Sequence, residues 1–178
     1  MRVTKEFVFF WGAEDFLSQW HPSSFNYEGL TFKTAEHWMM FQKAVLFDVP
    51  FDTAADIRNY LEQPKQSLHI ANKIIRAETP KKAKALGKQV EKFNKPVWGK
   101  IVKPVLYRGN HLKLNQNPEL MEQFLDFKGK RFVEASPYDK IYGIGMNALH
   151  PHATQPEKWQ GQNILGDCFT QLSRDYHA

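Results

Sequence analysis

Apolar and polar positions change period along this chain, and each change marks an element. Phe7-Val8-Phe9-Phe10-Trp11 is a short apolar, strand-like run ending at Gly12. Phe25 to Phe32 alternates around Glu28-Gly29, which predicts a hairpin turn. Thr34 then reads as an N-cap, and the stretch from Ala35 to about Phe47, free of Gly and Pro, predicts a helix that ends before Pro50. A second short helix is expected from Thr53 to Glu62, stopped before Pro64, and a third from Gln66 to Ala77. Thr79-Pro80, a cap followed by a first-turn proline, opens a fourth that is expected to run through Phe93. From Val97 to about Leu114, Trp98, Val102, Val105 and Leu112 recur at helical spacing and predict one buried stripe. Asn117-Pro118 opens another helix, to about Leu125, and Arg131 to Ala135 reads as a short strand. A loop region from Ser136 to Asn163 precedes a last helix, Ile164 to Tyr176, with Leu165, Phe169, Leu172 and Tyr176 on one face.

Strands and helices do not alternate regularly, which argues against a doubly wound sheet. The pattern predicts a mainly α fold, a compact single-domain bundle of about six or seven short helices with a small β element. At 178 residues, one domain covering 1–178 is large enough for a core without staples. No apolar run approaches the roughly 20 residues of a membrane helix, so no membrane partner is expected. The start, Met1 to Glu6, lacks the h-region of a secretory signal. The single cysteine, Cys168, permits no internal disulfide, and the expected location is cytoplasmic. A net charge of +5 is moderate, and basic residues concentrate between Lys65 and Lys103, with Lys81, Lys82, Lys84, Lys88, Lys92, Lys95, Lys100 and Lys103. These read as a solvated helical face or as an attraction for phosphorylated molecules and nucleic acid, and charge alone leaves both open.

Candidate chemistry is concentrated in a few places. Glu36, Met40 and Lys43 share one helical face, with Glu36 in the first turn, where the helix dipole favours a carboxylate. The alternative is an ordinary acidic residue near a helix start. Glu134 and Asp139 are the other carboxylates in suggestive positions, and paired carboxylates are the usual equipment for breaking a bond at a sugar carbon. Trp20, Trp38, Trp98, Tyr142 and Trp159 can stack on a flat ring, although most aromatics are core. Tyr142 and Trp159 stand in polar, Gly-containing loops, which gives them the better claim. Gly143-Ile144-Gly145 is too short for a dinucleotide fingerprint. Gln160, Gln162 and Asn163 can read a base edge or cap the last helix. His150-Pro151-His152 has no accompanying Cys or H-E-x-x-H pattern, so metal binding is not expected. Cys168 lies between Leu165 and Phe169 and reads as inert core.

Several segments together resemble the NADAR family, also called YbiA-like. They are Phe16 to Trp20, Pro22 to Phe25, Tyr27 to Phe32, Thr34-Ala35-Glu36-His37, Phe41 to Ala44, Leu86 to Val90, Trp98, Asn115 to Pro118, and the two loops around Tyr142 and Trp159. The resemblance implies a small, mainly α protein with N-glycosidase activity and no cofactor. Characterised members hydrolyse phosphorylated riboflavin-pathway intermediates or remove ADP-ribose from guanine bases. It further implies that Glu36, Trp98 and Asp139 share a pocket, with Lys43, Tyr142, Gly143, Trp159, Gln162 and Asn163 around it. The substrate would be a phosphorylated ribosyl heterocycle or an ADP-ribose adduct, on DNA in one version. A non-catalytic module binding ADP-ribose is the alternative. Tyr142 stands where the family commonly has Trp, Gln19 where it has Asn, and Lys88 where it has Arg.

Overall fold

Capping residues and prolines set most element ends. In chain order, the computed structural model, which describes residues 1–178, contains β1 (Arg2–Val3), β2 (Phe7–Phe10), β3 (Phe25–Tyr27), β4 (Leu30–Phe32), α1 (Ala35–Asp48), α2 (Ala54–Glu62), α3 (Ile70–Arg76), α4 (Pro80–Gly87), α5 (Lys95–Asn115), α6 (Pro118–Leu125), β5 (Arg131–Glu134) and α7 (Ile164–Tyr176). The mainly α expectation with a small β element holds. The chain forms two compact units, one of Met1–His21 with Asn117–Ala178, the other of Pro22–Gln116. No helix is long and apolar enough to cross a membrane.

In the Pro22–Gln116 unit, β3 and β4 pair as the expected hairpin, with Phe25 opposite Phe32. Its two turn residues, Glu28 and Gly29, both have positive φ (49° and 78°), as a two-residue hairpin turn demands. α1 starts at Thr34, whose hydroxyl accepts from the His37 amide. Its first half is buried nearly all round, from Ala35 to Phe41, so it forms the centre of this unit and packs against α3, α4 and α5.

Three expectations needed correction here. Residues 66–69 do not join the third helix. A 3-10 turn at Pro64–Gln66 intervenes, and the His69 side chain accepts from the Ala71 amide to cap a shorter α3. The fourth helix stops at Gly87 instead of reaching Phe93. The Asp48 carboxylate captures the amides of Glu91 and Lys92, and Asn94 caps the next helix. In α5 the buried stripe runs through Trp98, Val102, Leu106, Gly109, Asn110, Lys113 and Leu114, while Val105 and Leu112 are only half-buried. The stripe follows the helical period across polar residues that hydropathy alone would assign to solvent.

In the other unit, the sheet order is β1-β2-β5, with β1 antiparallel and β5 parallel to β2. All four residues of β2 are buried, as expected of the central strand. α7 packs on β5, and Phe124, Phe132 and Phe169 form a mutual aromatic cluster behind the strand. The outer edge of β5 is closed by side chains: Thr170 Oγ1 accepts from the Phe132 amide at 3.0 Å, and Asn163 continues the pattern.

Candidate functional site

The candidate residues fall into two groups, one on α1 and its neighbours and one on the loops between β5 and α7. Glu36 occupies the first turn of α1 and is 2 % exposed, so it is a core carboxylate and no ordinary surface acid. Lys43, two turns along the same face, donates from Nζ to the Gly87 carbonyl at 2.7 Å and lies 4.0 Å from the centre of the Phe93 ring. Burial lowers the Lys43 pKa, and the charge of Glu36 partly offsets that. The two side chains therefore belong to one electrostatic unit. Gly87 packs directly on this face of α1: a Cβ there would come 2.1 Å from Met40 Sδ, so a larger residue requires the Met40 side chain to move.

His37, next to Glu36, is fully buried and locks α1 in place. One ring nitrogen pairs with the Thr34 hydroxyl at 2.8 Å and the other with the Ala77 carbonyl at 3.1 Å. Burial is the main cause of its lowered pKa, which favours a neutral ring. The sequence places His37 in the run Thr34-Ala35-Glu36-His37 without giving it a role of its own. The cue to the locking role is Thr34 three residues earlier, but the acceptor, Ala77, is supplied from 40 residues away.

Trp98 is buried in α5 and lines a cavity of about 210 Å³. From α1 that cavity takes Gln42, Val45 and Leu46, joined by Val49 just past the helix end. At about 100° per residue Gln42 and Val45 lie roughly a third of a turn or more from Glu36, whereas Leu46, one turn beyond Lys43, flanks the face of Glu36 and Lys43. Phe51, Ile57 and Ile101 complete a mostly apolar wall, and Glu36 is not part of it.

The loop group is organised by backbone. Glu134 ends β5, and its carbonyl accepts from the Ile144 amide. Asp139 Oδ1 accepts from the amides of Ile141 and Tyr142, both at 2.8 Å, and the Asp139 amide donates to Ser136 Oγ. The two loops that hydropathy separates are stitched into one body. Gln160, Gln162, Asn163, Ile164 and Leu165 donate their amides to Ile144, Lys140, Gly143, Ile141 and Tyr142 respectively. Gly143 and Gly161 permit this contact. A Cβ on Gly143 would meet the Glu134 carbonyl at 2.7 Å, and one on Gly161 would meet the Gly143 carbonyl at 2.2 Å.

Asn163 makes no side-chain cap to α7. It adopts a left-handed conformation (φ 55°), and its buried amide acts as a substitute strand. Oδ1 accepts from the Glu134 amide and Nδ2 donates to the Phe132 carbonyl, each at 3.0 Å. Trp159 is likewise engaged, donating to the Ala153 carbonyl, packing edge-on to Phe7 and lying under the Arg131 guanidinium at 4.6 Å. Gln162 is exposed, Tyr142 is half-buried, and Trp20 is half-buried with its amide on Ser18 Oγ. His150 and His152 have ring centres 5.4 Å apart, and no group of three or more His, Cys, Asp or Glu converges.

The NADAR domain family model matches residues 9–175. Among characterised sequences, the chain is 34% identical over 183 residues to N-glycosidase R617 of Acanthamoeba polyphaga mimivirus, covering 97% of each chain. It is 28% identical over 188 residues to Protein irg-1 of Caenorhabditis elegans, covering 97% of this chain and 80% of that one. It is also 28% identical over 151 residues to the chloroplastic riboflavin biosynthesis protein PYRR of Zea mays, covering 83% of this chain but 20% of that one. In three dimensions it is similar to the NMR structure of the E. coli protein YbiA, with a TM-score of 0.68, 20% identity, and coverage of 99% of this chain and 88% of that one. With one family model spanning nearly the whole sequence and a relative above 30% identity along its full length, the chain belongs to the NADAR domain family.

Proposed function

We propose that this member of an N-glycosidase family hydrolyses the bond between a ribose carbon and the nitrogen of a flat heterocycle, with Glu36 as the principal catalytic carboxylate. Breaking that bond leaves positive charge on the sugar, while the base departs with the electron pair and takes up a proton. Water then supplies the oxygen bonded to the sugar carbon. A carboxylate stabilises the cationic sugar best where solvent is excluded and the carboxylate is already oriented. The observation that carries this reading is a buried Glu36 in the first turn of α1, where helix amides favour negative charge and Lys43 lies on the same face.

Asp139 supplies the second carboxylate, orienting water or ribose hydroxyls. Its Oδ1 is fixed by two amides, and Oδ2 takes no part in those bonds. Tyr142, whose amide is one of the two, is held beside it as a substrate contact. Among substrates, we favour ADP-ribosylated guanine in nucleic acid, because Lys81, Lys82, Lys88, Lys92, Lys95, Lys100 and Lys103 are all exposed. The match to PYRR of maize favours a second branch, a phosphorylated ribosylamino-pyrimidine of the riboflavin pathway. A single buried cysteine, Cys168, fits a cytoplasmic setting for either.

The test is incubation with ADP-ribosylated guanine DNA and, separately, with the ribosylamino-pyrimidine phosphate, followed by mass spectrometry of the released base. We expect release from one substrate and a loss of at least about 100-fold in Glu36→Gln, the scale of removing a preorganised electrostatic group. An active, folded Glu36→Gln overturns the catalytic assignment. Steep loss of turnover with added salt marks the nucleic-acid branch, and salt-insensitive turnover marks the metabolite.

A further inference from the structure

The parallel pairing of β2 and β5 places Phe10 beside Glu134, so both strands end at the same sheet edge. Ligands of α/β sheets commonly gather at the carboxyl ends of parallel strands, where loops diverge. From this edge the chain emits two aromatics. Trp11 directly follows β2, and Tyr138 lies four residues beyond β5 and directly before Asp139. Their ring centres are 6.0 Å apart with planes tilted by 57°, an aromatic corner made from two different loops.

Both rings are open to solvent, Trp11 at 46 % and Tyr138 at 85 %. Trp38 and Trp98 are buried, and Trp20 and Trp159 are half-buried. The loops beneath the open pair are nonetheless fixed. The Trp11 amide donates to the buried Asp15 carboxylate at 2.8 Å, and that carboxylate also binds the Met1 ammonium at 2.6 Å. The Tyr138 and Asp139 amides both donate to the buried Ser136 hydroxyl. Two solvent-exposed rings on braced backbone, tilted toward each other, form a preorganised aromatic surface.

We propose that Trp11 and Tyr138 form a stacking subsite for a planar nucleobase, adjacent to Asp139. It deepens the N-glycosidase reading, on which the identity of its ligand rests: the ring system attached to the sugar, or a base next to it. Aromatic stacking discriminates flat rings from sugars and phosphates, so the two residues govern recognition of the base and leave phosphate affinity alone.

The experiment is titration of the full-length protein with guanosine 5′-monophosphate, followed by saturation-transfer NMR at the guanine H8, with ribose 5-phosphate as the ring-free probe. Trp11→Ala and Tyr138→Ala are expected to weaken nucleotide binding by at least about fivefold each, the low end of a base-stacking contact. Trp11→Phe and Tyr138→Phe are expected to retain it within about twofold, since a ring face remains. Ribose 5-phosphate binding is expected to be the same in all five proteins. On any substrate that is turned over, the alanine variants raise KM and the phenylalanine variants restore it. Unchanged nucleotide binding in both alanine variants overturns the subsite, as does a parallel loss of ribose 5-phosphate. Tyr138 is nearly free of packing, so its alanine variant decides the matter even if Trp11→Ala unfolds. If the native protein releases no base from any substrate, the glycosidase reading fails, while the nucleotide titration still decides the subsite.

Discussion

Asp139 and Glu36 are two candidate carboxylates held by opposite means. Asp139 belongs to a loop body in which position is set by backbone: glycines allow main chains to touch, amides satisfy the neighbouring carbonyls, and Asn163 stands in for a strand. Glu36 belongs to a helix whose position is set by side chains, where burial, the Thr34 cap and the His37 lock hold α1 against its neighbours. The first region leaves little room for changes of shape. In the second, burial of ionisable groups makes pH a strong variable.

The largest effect expected from this contrast is at Gly161. Gly161→Ala places a Cβ 2.2 Å from the Gly143 carbonyl and 2.8 Å from Lys140 Cα, both backbone atoms that cannot step aside. We expect destabilisation above about 3 kcal/mol in urea unfolding, or failure to fold, as for other forced backbone clashes. A loss under about 1 kcal/mol would show that the two loops are not tightly joined. Asn163→Ala removes the partners of the Glu134 amide and the Phe132 carbonyl and also strains the positive φ. It should cost roughly 2–4 kcal/mol, and Asn163→Gly about 1 kcal/mol less, because glycine relieves only the strain.

The helical region is sharpened by Lys113, which is 0 % exposed in α5 and whose pKa burial pushes down to about 7 from 10.5. Between those values the unfolded chain holds a proton that the folded chain has released. Stability should therefore rise with pH from about 7 toward 10, by at most roughly 1.4 kcal/mol per pH unit, and show no contribution from this group below 7. Urea midpoints measured across that range, with Lys113→Met as the flat control, check the sign. The smallest effect is at the hairpin. Glu28 has φ 49°, and Glu28→Gly should gain about 0.5–1 kcal/mol in thermal unfolding, since glycine adopts that conformation without strain.

The sequence by itself determined what depends on neighbours along the chain. Thr34 and Thr79 cap α1 and α4 where local patterns place them, Glu28-Gly29 turns the hairpin, and the last helix spans Ile164–Tyr176 as its apolar spacing requires. The family was likewise legible, because its motifs are ordered runs of residue types. What only the tertiary structure decided depends on contacts between distant residues. The early end of α4 follows from Asp48 reaching the amides of Glu91 and Lys92. Burial of Lys113 follows from the face that α5 turns inward, a choice its own hydropathy opposes. Asn163 reads as a cap until β5 offers it an unfilled edge, and Trp159 reads as a loop aromatic until Phe7, Ala153 and Arg131 surround it. Periodicity and capping are encoded within a few residues, whereas the partner of a polar group is fixed only when the chain folds back on itself.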